Sequence, residues 1–198
     1  MRNNAKKLAS AILALAMTAA MSVTAYAADY GQVPVFNQST SESTSATTDE
    51  ISSAINNAVE AEVDGEDKAV ATVTVTSTKE LPVKASVLKD LAKKDNGVLE
   101  IVAPKATISI DASTVKKARP IDLSMKVTNG KSRTIINLRS KKTFGCEVKI
   151  TITECKLSAK KLANAHWYLD GEDMGPIELD EDGNPVVTLT KGGKVEIK

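Results

Sequence analysis

The sequence contains one histidine, two cysteines and very few aromatic residues. His166 is the only candidate for the histidine of a Ser-His-Asp or Cys-His catalytic set, and no Gly-x-Ser-x-Gly motif accompanies it. One histidine and two distant cysteines also cannot supply a zinc site, which needs three or four converging ligands. These absences predict a protein with no catalytic residues, no cofactor and no bound metal. His166 is then an ordinary strand residue on the outer face of a sheet, beside Tyr168.

Aromatic rings are too few for a broad sugar-stacking or base-stacking platform. After residue 27 they are Tyr30, Phe36, Phe144, Trp167 and Tyr168. Nucleic-acid modules stack bases on such rings, so nucleic acid is not an expected partner. Trp167 and Tyr168 are adjacent in a predicted strand and face opposite sides, and we predict a buried Trp167 and an exposed Tyr168. A carboxylate pair for glycoside hydrolysis stays open, because sequence does not give the distance between carboxylates.

No segment has the roughly 20 consecutive apolar residues of a membrane-spanning helix. The longest uncharged apolar run, 8–21, follows the basic residues Arg2, Lys6 and Lys7 and precedes Ala25-Tyr26-Ala27. A basic start, a short apolar core and small residues before a cleavage point are typical of a secretory signal peptide, and the core is short for a membrane anchor. Residues 1–27 are therefore predicted to be removed before Ala28. We expect a secreted, extracellular protein without a membrane span, either released or associated with the cell wall.

An exported protein would be expected to pair its two cysteines, Cys146 and Cys155. Residues 147–153 read Glu-Val-Lys-Ile-Thr-Ile-Thr, which is the alternation of a strand. Nine residues of straight strand span roughly 30 Å, whereas the Cα atoms of a disulfide lie within about 7 Å of each other. The spacing predicts no disulfide between these two residues.

Charge is distributed in blocks. Residues 105–161 carry fourteen basic and four acidic side chains, whereas 28–104 carry six and thirteen, and 162–198 carry three and eight. A basic block of this kind can bind an anionic polymer such as wall phosphate or acidic polysaccharide, although lysines also keep sheet edges soluble. The candidate polymer-binding residues are Lys116, Lys117, Arg119, Lys131, Arg133, Arg139, Lys141 and Lys142.

The chain divides by composition into four segments. After the signal, residues 28–48 form a Ser/Thr-rich polar linker with nothing to bury. An α/β lobe is predicted for 49–129 and a β lobe for 130–198, or else one continuous domain, because neither lobe alone buries much surface. The predicted fold class is α+β, with short helices on a sheet in the first half and β-sandwich-like antiparallel strands in the second.

Hydrophobic periodicity places the elements. Apolar residues at helical spacing predict helices over 51–59 and 85–94, and one helical turn is expected at 158–164. Alternating residues predict strands at 69–78, 98–102, 107–111, 121–128, 134–139, 147–153, 166–170, 186–190 and 194–197. Asp180, Asp182 and Asn184 have the spacing of a calcium loop. The early glycine and the absence of a closing glutamate favour a hairpin turn instead.

Several segments together resemble a module of secreted and surface proteins of anaerobic Gram-positive bacteria, of the type associated with S-layer or dockerin domains. The segments that carry this resemblance are 51–59, 81–92, 99–102, 107–110, 167–171, 179–184 and 187–194. The chain departs from the module's usual aromatic ending with Val195-Glu196-Ile197. The resemblance implies a structural unit of the cell surface, and the family has no established catalytic residues.

These observations favour a non-catalytic scaffold or adhesion module of the bacterial cell envelope or extracellular space. The alternative is a binding module for an anionic or carbohydrate polymer, and a small glycan hydrolase is a weaker third hypothesis. The expected partner is a cell-wall polymer, a glycan or a surface protein.

Overall fold

Residues 48–63, 66–94 and 96–198 are described by the structure, which is a computed structural model. The predicted signal peptide and all but the last residue of the predicted linker lie outside these ranges. Strands predominate and the helices are short, which confirms the α+β class. None of the helices in the described ranges has the length and apolar character needed to cross a membrane.

Helices occupy three short stretches of the chain. They are α1 (Thr48–Asn56), α2 (Ala85–Leu91) and α3 (Ala159–Leu162). A 3-10 turn covers Ala112–Thr114. The side chains of α2 that face the interior are Val87, Leu88 and Leu91, as their spacing predicts.

The end of α1 differs from the prediction. The sequence predicted a helix through Val59, but α1 ends at Asn56, and the Asn57 amide N–H is shared between the carbonyls of Ser53 and Ala54. Val59 instead begins a strand and is 70% exposed. Two consecutive asparagines stop the helix because their side chains compete for backbone hydrogen bonds, and the alternating segment that follows favours a strand.

The strands are numbered along the chain. They are β1 (Val59–Val63), β2 (Glu66–Thr74), β3 (Pro82–Val83), β4 (Gly97–Ala103), β5 (Ala106–Asp111), β6 (Ile121–Asp122), β7 (Met125–Asn129), β8 (Thr134–Leu138), β9 (Thr143–Thr151), β10 (His166–Leu169), β11 (Glu172–Pro176), β12 (Glu178–Leu179), β13 (Pro185–Lys191) and β14 (Lys194–Ile197).

These strands form a seven-stranded sheet in the order β1-β2-β4-β5-β9-β13-β12, a five-stranded sheet in the order β11-β10-β14-β8-β7, and a small β3-β6 pair. β2 and β4 run parallel because the chain crosses over through α2, and the other pairs in the described residues are antiparallel. Buried side chains of both large sheets belong to one hydrophobic cluster. The seven-stranded sheet takes strands from both sides of residue 129, so the two predicted lobes share a sheet and a core.

The predicted strand 121–128 is interrupted. The Asp122 carboxylate accepts a hydrogen bond from the Ser124 amide, and the buried Ser124 hydroxyl accepts one from the Leu81 amide. These bonds turn the chain between β6 and β7, so that β6 pairs with β3 while β7 joins the five-stranded sheet. The four apolar residues predicted for one face, Ile121, Leu123, Met125 and Val127, are nevertheless all buried.

A partly buried ion pair joins β2 to β5. Lys68 Nζ lies 2.6 Å from Asp111 Oδ2. The hydrogen bond to Asp111 raises the pKa of Lys68. Burial alone would raise the pKa of Asp111, but hydrogen bonds from Lys68 and Ser113 outweigh it and lower that pKa below 3.8.

Replacing Lys68 with methionine is expected to destabilise the protein by about 1–3 kcal/mol at neutral pH, because Asp111 loses a charged hydrogen-bond partner. A lowered carboxyl pKa contributes stability above its unfolded value, and that contribution disappears as the pH falls through the folded value. The difference in unfolding free energy between wild type and Lys68→Met should therefore vanish below the lowered pKa of Asp111, when measured by urea denaturation across pH. A difference that persists in strong acid would show that the pair is not responsible.

Candidate functional site

The first residues of β9 lie beside the segment that contains Lys117 and Arg119. The Lys117 amide donates to the Gly145 carbonyl at 3.0 Å, and Arg119 Nη1 donates to Thr143 Oγ1 at 3.0 Å. Thr143 directly follows Lys141 and Lys142 in the chain. Two basic clusters that are more than twenty residues apart in sequence are thus brought to one place.

Gly145 permits this close approach. It has a φ of +80°, and a Cβ at this position would collide with the Lys117 carbonyl oxygen. Glycine has no Cβ and adopts positive φ without a steric penalty. The approach of residue 117 to β9 therefore depends on glycine at residue 145.

Backbone contacts also fix the loop between β8 and β9. The Arg139 amide donates to the Ser124 carbonyl at 2.8 Å, and the Gly192 amide donates to the Lys142 carbonyl at 3.0 Å. Lys191, the last residue of β13, pairs with Thr143 in the sheet. Lys191 is exposed and was absent from the sequence prediction.

We call this group of cations the basic surface. It consists of Lys116, Lys117, Arg119, Arg139, Lys141, Lys142 and Lys191. Arg119 is half-buried and the others are exposed. Within the part of the chain that the structure describes, none of the seven forms a salt bridge. No carboxylate of the described residues thus holds any of these seven cations in an ion pair.

Acidic residues occur near the margins of the basic surface. Glu147 is exposed on β9, four residues after Thr143. Asp170 lies next to Gly193, and its carboxylate accepts the Lys194 amide at 2.9 Å. These two carboxylates limit the area over which the cations dominate.

Two of the predicted residues lie elsewhere. Lys131 and Arg133 precede β8 whereas Arg139 follows it, so the two groups are roughly 20 Å apart along the strand. Arg133 Nη1 is paired with Glu196 Oε1 at 2.8 Å, and the Lys131 carbonyl accepts a hydrogen bond from Lys161 Nζ. The structure therefore brings six of the eight predicted residues together and leaves Lys131 and Arg133 apart.

His166 is exposed at the start of β10, and its Nδ1 lies 3.0 Å from both carboxylate oxygens of Asp173. A backbone hydrogen bond from Gly175 and the contact with His166 lower the pKa of Asp173. Among the hydrogen bonds of the described residues, none joins His166 to a serine or cysteine. The described residues also contain no group of three His, Cys, Asp or Glu side chains able to hold a metal ion.

The two aromatic residues of β10 are both half-buried. Trp167 packs against the core cluster, and the Tyr168 ring lies 4.4 Å from Lys198 Nζ. The prediction of a buried Trp167 and an exposed Tyr168 is therefore wrong for both residues, since each is half-buried. A break in the pairing register between these two residues disturbs the strict alternation of faces.

Both cysteines are free thiols. Cys146 is buried in β9, and burial together with Glu147 raises the pKa of its thiol to about 11. Cys155 Sγ lies 3.6 Å from Thr134 Oγ1. A thiol with a raised pKa stays protonated at neutral pH and is a poor nucleophile.

The segment around Asp180 is a hairpin turn between β12 and β13. The Asp180 carboxylate accepts hydrogen bonds from the Asp182 amide and from both the backbone amide and the side-chain amide of Asn184. The predicted hairpin is confirmed, and the turn itself uses the oxygens of Asp180.

Comparisons with protein-family models, with curated proteins and with solved structures give no match.

Proposed function

We propose that this chain is an exported, non-catalytic adhesion module that binds an anionic polymer through the basic surface. The observation that carries the proposal is the convergence, around the start of β9, of cations that form no salt bridge within the described part of the chain. They come from three chain segments: 116–119, 139–142 and Lys191. Cations that are not paired within the fold can each neutralise one charge of an incoming polyanion. Their binding is favoured by release of the counterions that the polymer carries.

The chemistry of the basic surface favours recognition by charge. Phe144 is the aromatic residue nearest in sequence to these cations, and its side chain is 1% exposed, so its ring is not available for stacking. Lysines on flexible stems tolerate variation in the spacing of the polymer's charges. A wall phosphate polymer or an acidic polysaccharide fits this surface better than nucleic acid does.

Two sequence features support an extracellular setting for this binding. The signal-peptide pattern of residues 1–27 predicts export. The resemblance to a module of bacterial surface proteins implies the same location. An adhesion role joins these features, because a basic surface outside the cell would meet the anionic polymers of the envelope.

The test is a double charge reversal, Lys141→Glu with Lys142→Glu. Each lysine near an anionic surface contributes about 1 kcal/mol, so two reversals should weaken binding by at least about 2 kcal/mol, or roughly thirtyfold in Kd. Retention should be measured on immobilised polygalacturonate, on poly(glycerol phosphate) and on neutral dextran. Wild-type retention on the two anionic polymers should fall as salt is added, because exposed charges are screened.

The matched control is Lys131→Glu with Lys160→Glu. It changes the net charge by the same amount within the same basic block, but at the far end of β8, where α3 contacts residue 131. This control should retain most of the wild-type binding. Equal losses in both variants would show that net charge alone matters, and cleavage of either polymer would overturn the non-catalytic assignment.

A further inference from the structure

A cleft of about 420 Å³ opens at the end of the basic surface that contains Arg139. One wall is the segment before β3, which includes Lys79 and Glu80, and the other is formed by the ends of β7 and β8. Clefts that hold small ligands have volumes of about 300–1,000 Å³. The space is therefore large enough for a sugar residue with its linkages.

Hydrogen bonds hold the walls of the cleft together. The Met125 amide donates to the Thr78 carbonyl at 2.8 Å, and the Thr78 hydroxyl donates back to the Met125 carbonyl at 2.8 Å. The Leu81 amide donates to the buried Ser124 hydroxyl, and the Arg139 amide donates to the Ser124 carbonyl. The cleft is thus formed before any ligand enters, which lowers the entropic cost of binding.

The exposed side chains of the cleft are of two kinds, cations and hydrogen-bonding groups. Lys79, Lys126 and Arg139 are exposed cations, and Glu80 and Asn137 are exposed hydrogen-bonding groups. Lys126 and Asn137 are direct cross-strand neighbours.

Met125 and Leu138, also cross-strand neighbours, border the cleft, but their side chains are buried and lie on the opposite face of the strands from Lys126 and Asn137. A site for phosphate alone would need only the cations. A carboxylate such as Glu80 repels an anion, but it accepts hydrogen bonds from hydroxyl groups, and the Asn137 amide both donates and accepts.

We propose that this cleft is a subsite for one acidic sugar residue of the bound polymer. The ligand class is a uronic-acid-type sugar, whose carboxylate meets the three cations while its hydroxyls bond to Glu80 and Asn137. Arg139 belongs to both the cleft and the basic surface, and it therefore joins the cleft to Lys141 and Lys142. The inference rests on the proposed polymer binding and adds the class of sugar that the polymer contains.

Three small probes separate the contributions to binding. Trigalacturonate has both charge and hydroxyls, its methyl ester has the hydroxyls without the charge, and tripolyphosphate has the charge without the hydroxyls. Calorimetric titration of the chain should give the tightest binding for trigalacturonate. Equal or tighter binding of tripolyphosphate would overturn the sugar assignment, and equal binding of the methyl ester would overturn the role of the three cations.

Asn137→Ala is the most specific variant, because it removes a hydrogen-bonding group without changing charge. It should weaken trigalacturonate binding about five- to tenfold, as expected for a lost hydrogen bond, and leave tripolyphosphate binding within about twofold. The control is Thr128→Ala, which is also a neutral change at an exposed position but lies on β7. It should alter the binding of neither trigalacturonate nor tripolyphosphate. Both positions are exposed, so thermal unfolding should stay close to that of the wild type.

The outcomes distinguish this inference from the proposed function. If Lys141→Glu with Lys142→Glu releases long polymers but Asn137→Ala leaves trigalacturonate binding unchanged, the subsite is wrong and the polymer-binding surface stands. If the double reversal has no effect on long polymers while Asn137→Ala weakens trigalacturonate, the basic surface is wrong and the cleft is a separate sugar site.

Discussion

Replacing Gly192 with alanine is expected to destabilise the protein by about 3 kcal/mol or more, because the new Cβ has no space. A Cβ at this position would overlap the Ser140 carbonyl oxygen and lie 2.7 Å from its carbonyl carbon. Both atoms belong to the backbone of the loop between β8 and β9. They cannot rotate away as the end of a flexible side chain could, so the loop itself must shift.

This shift would also affect the basic surface. The Gly192 amide donates to the Lys142 carbonyl, so displacing the β13–β14 connection from the loop moves Lys141 and Lys142. Urea denaturation should show the loss of stability, and polymer retention should fall even under conditions where the variant remains folded. Gly130→Ala is the control, because its Cβ would lie 3.1 Å from the Arg133 carbonyl oxygen, a tight contact but not an overlap. Similar stability for the two variants would contradict the close approach at residue 192.

Gly145→Ala is expected to cost about 2–4 kcal/mol, from two separate sources. Its φ of +80° is unfavourable for alanine, and the added Cβ would collide with the Lys117 carbonyl oxygen. The variant should therefore unfold at lower urea concentration than the wild type. Because residues 116–119 must move away from β9, it should also bind anionic polymer more weakly.

Gly183 provides a matched control for this substitution. Its φ is +79°, almost the same as that of Gly145, but a Cβ there would meet nothing within 4 Å. Gly183→Ala therefore carries the backbone strain without the collision and should cost about 1 kcal/mol. The difference between the two variants measures the contact between residue 117 and β9. If Gly145→Ala costs no more than Gly183→Ala, that contact does not hold the site together.

The elements that the sequence predicted well are those whose local pattern agrees with their final environment. Segments 98–102 and 107–111 correspond to β4 and β5, which are adjacent in the chain and pair with each other. Val87, Leu88 and Leu91 have helical spacing and are all buried in α2. In these cases the hydrophobic period and the neighbouring elements indicate the same structure.

Other elements had no local signal of their own. β11 reads Glu-Asp-Met-Gly-Pro and is a strand because it pairs with β10, and no apolar alternation marks it. β12 has two residues and depends on the hairpin turn at Asp180. The pairing of β9 with both β5 and β13 joins segments far apart in sequence, which periodicity alone does not predict.

The candidate site shows the same division. The sequence showed a basic block, and six of its eight candidates gather around the start of β9. Lys131 and Arg133 are also a lysine and an arginine of the basic block, but the length of β8 separates them from the other six candidates. Counting charges along the sequence does not reveal this separation. Lys191, Lys79 and Lys126 reach the site or the cleft only through sheet pairing and the packing of the segment before β3. A lysine isolated in sequence gives no signal of this kind.

The most direct test of the central claim is an NMR titration of the chain with short oligogalacturonate chains, following each backbone amide. We expect the largest chemical-shift changes at residues 116–119, 139–145 and 191, with further changes at Asn137, and we expect them to diminish as salt is added. Changes centred on Lys131, Arg133 and α3 would contradict binding at the basic surface. Changes of equal size on titration with neutral dextran would contradict recognition by charge.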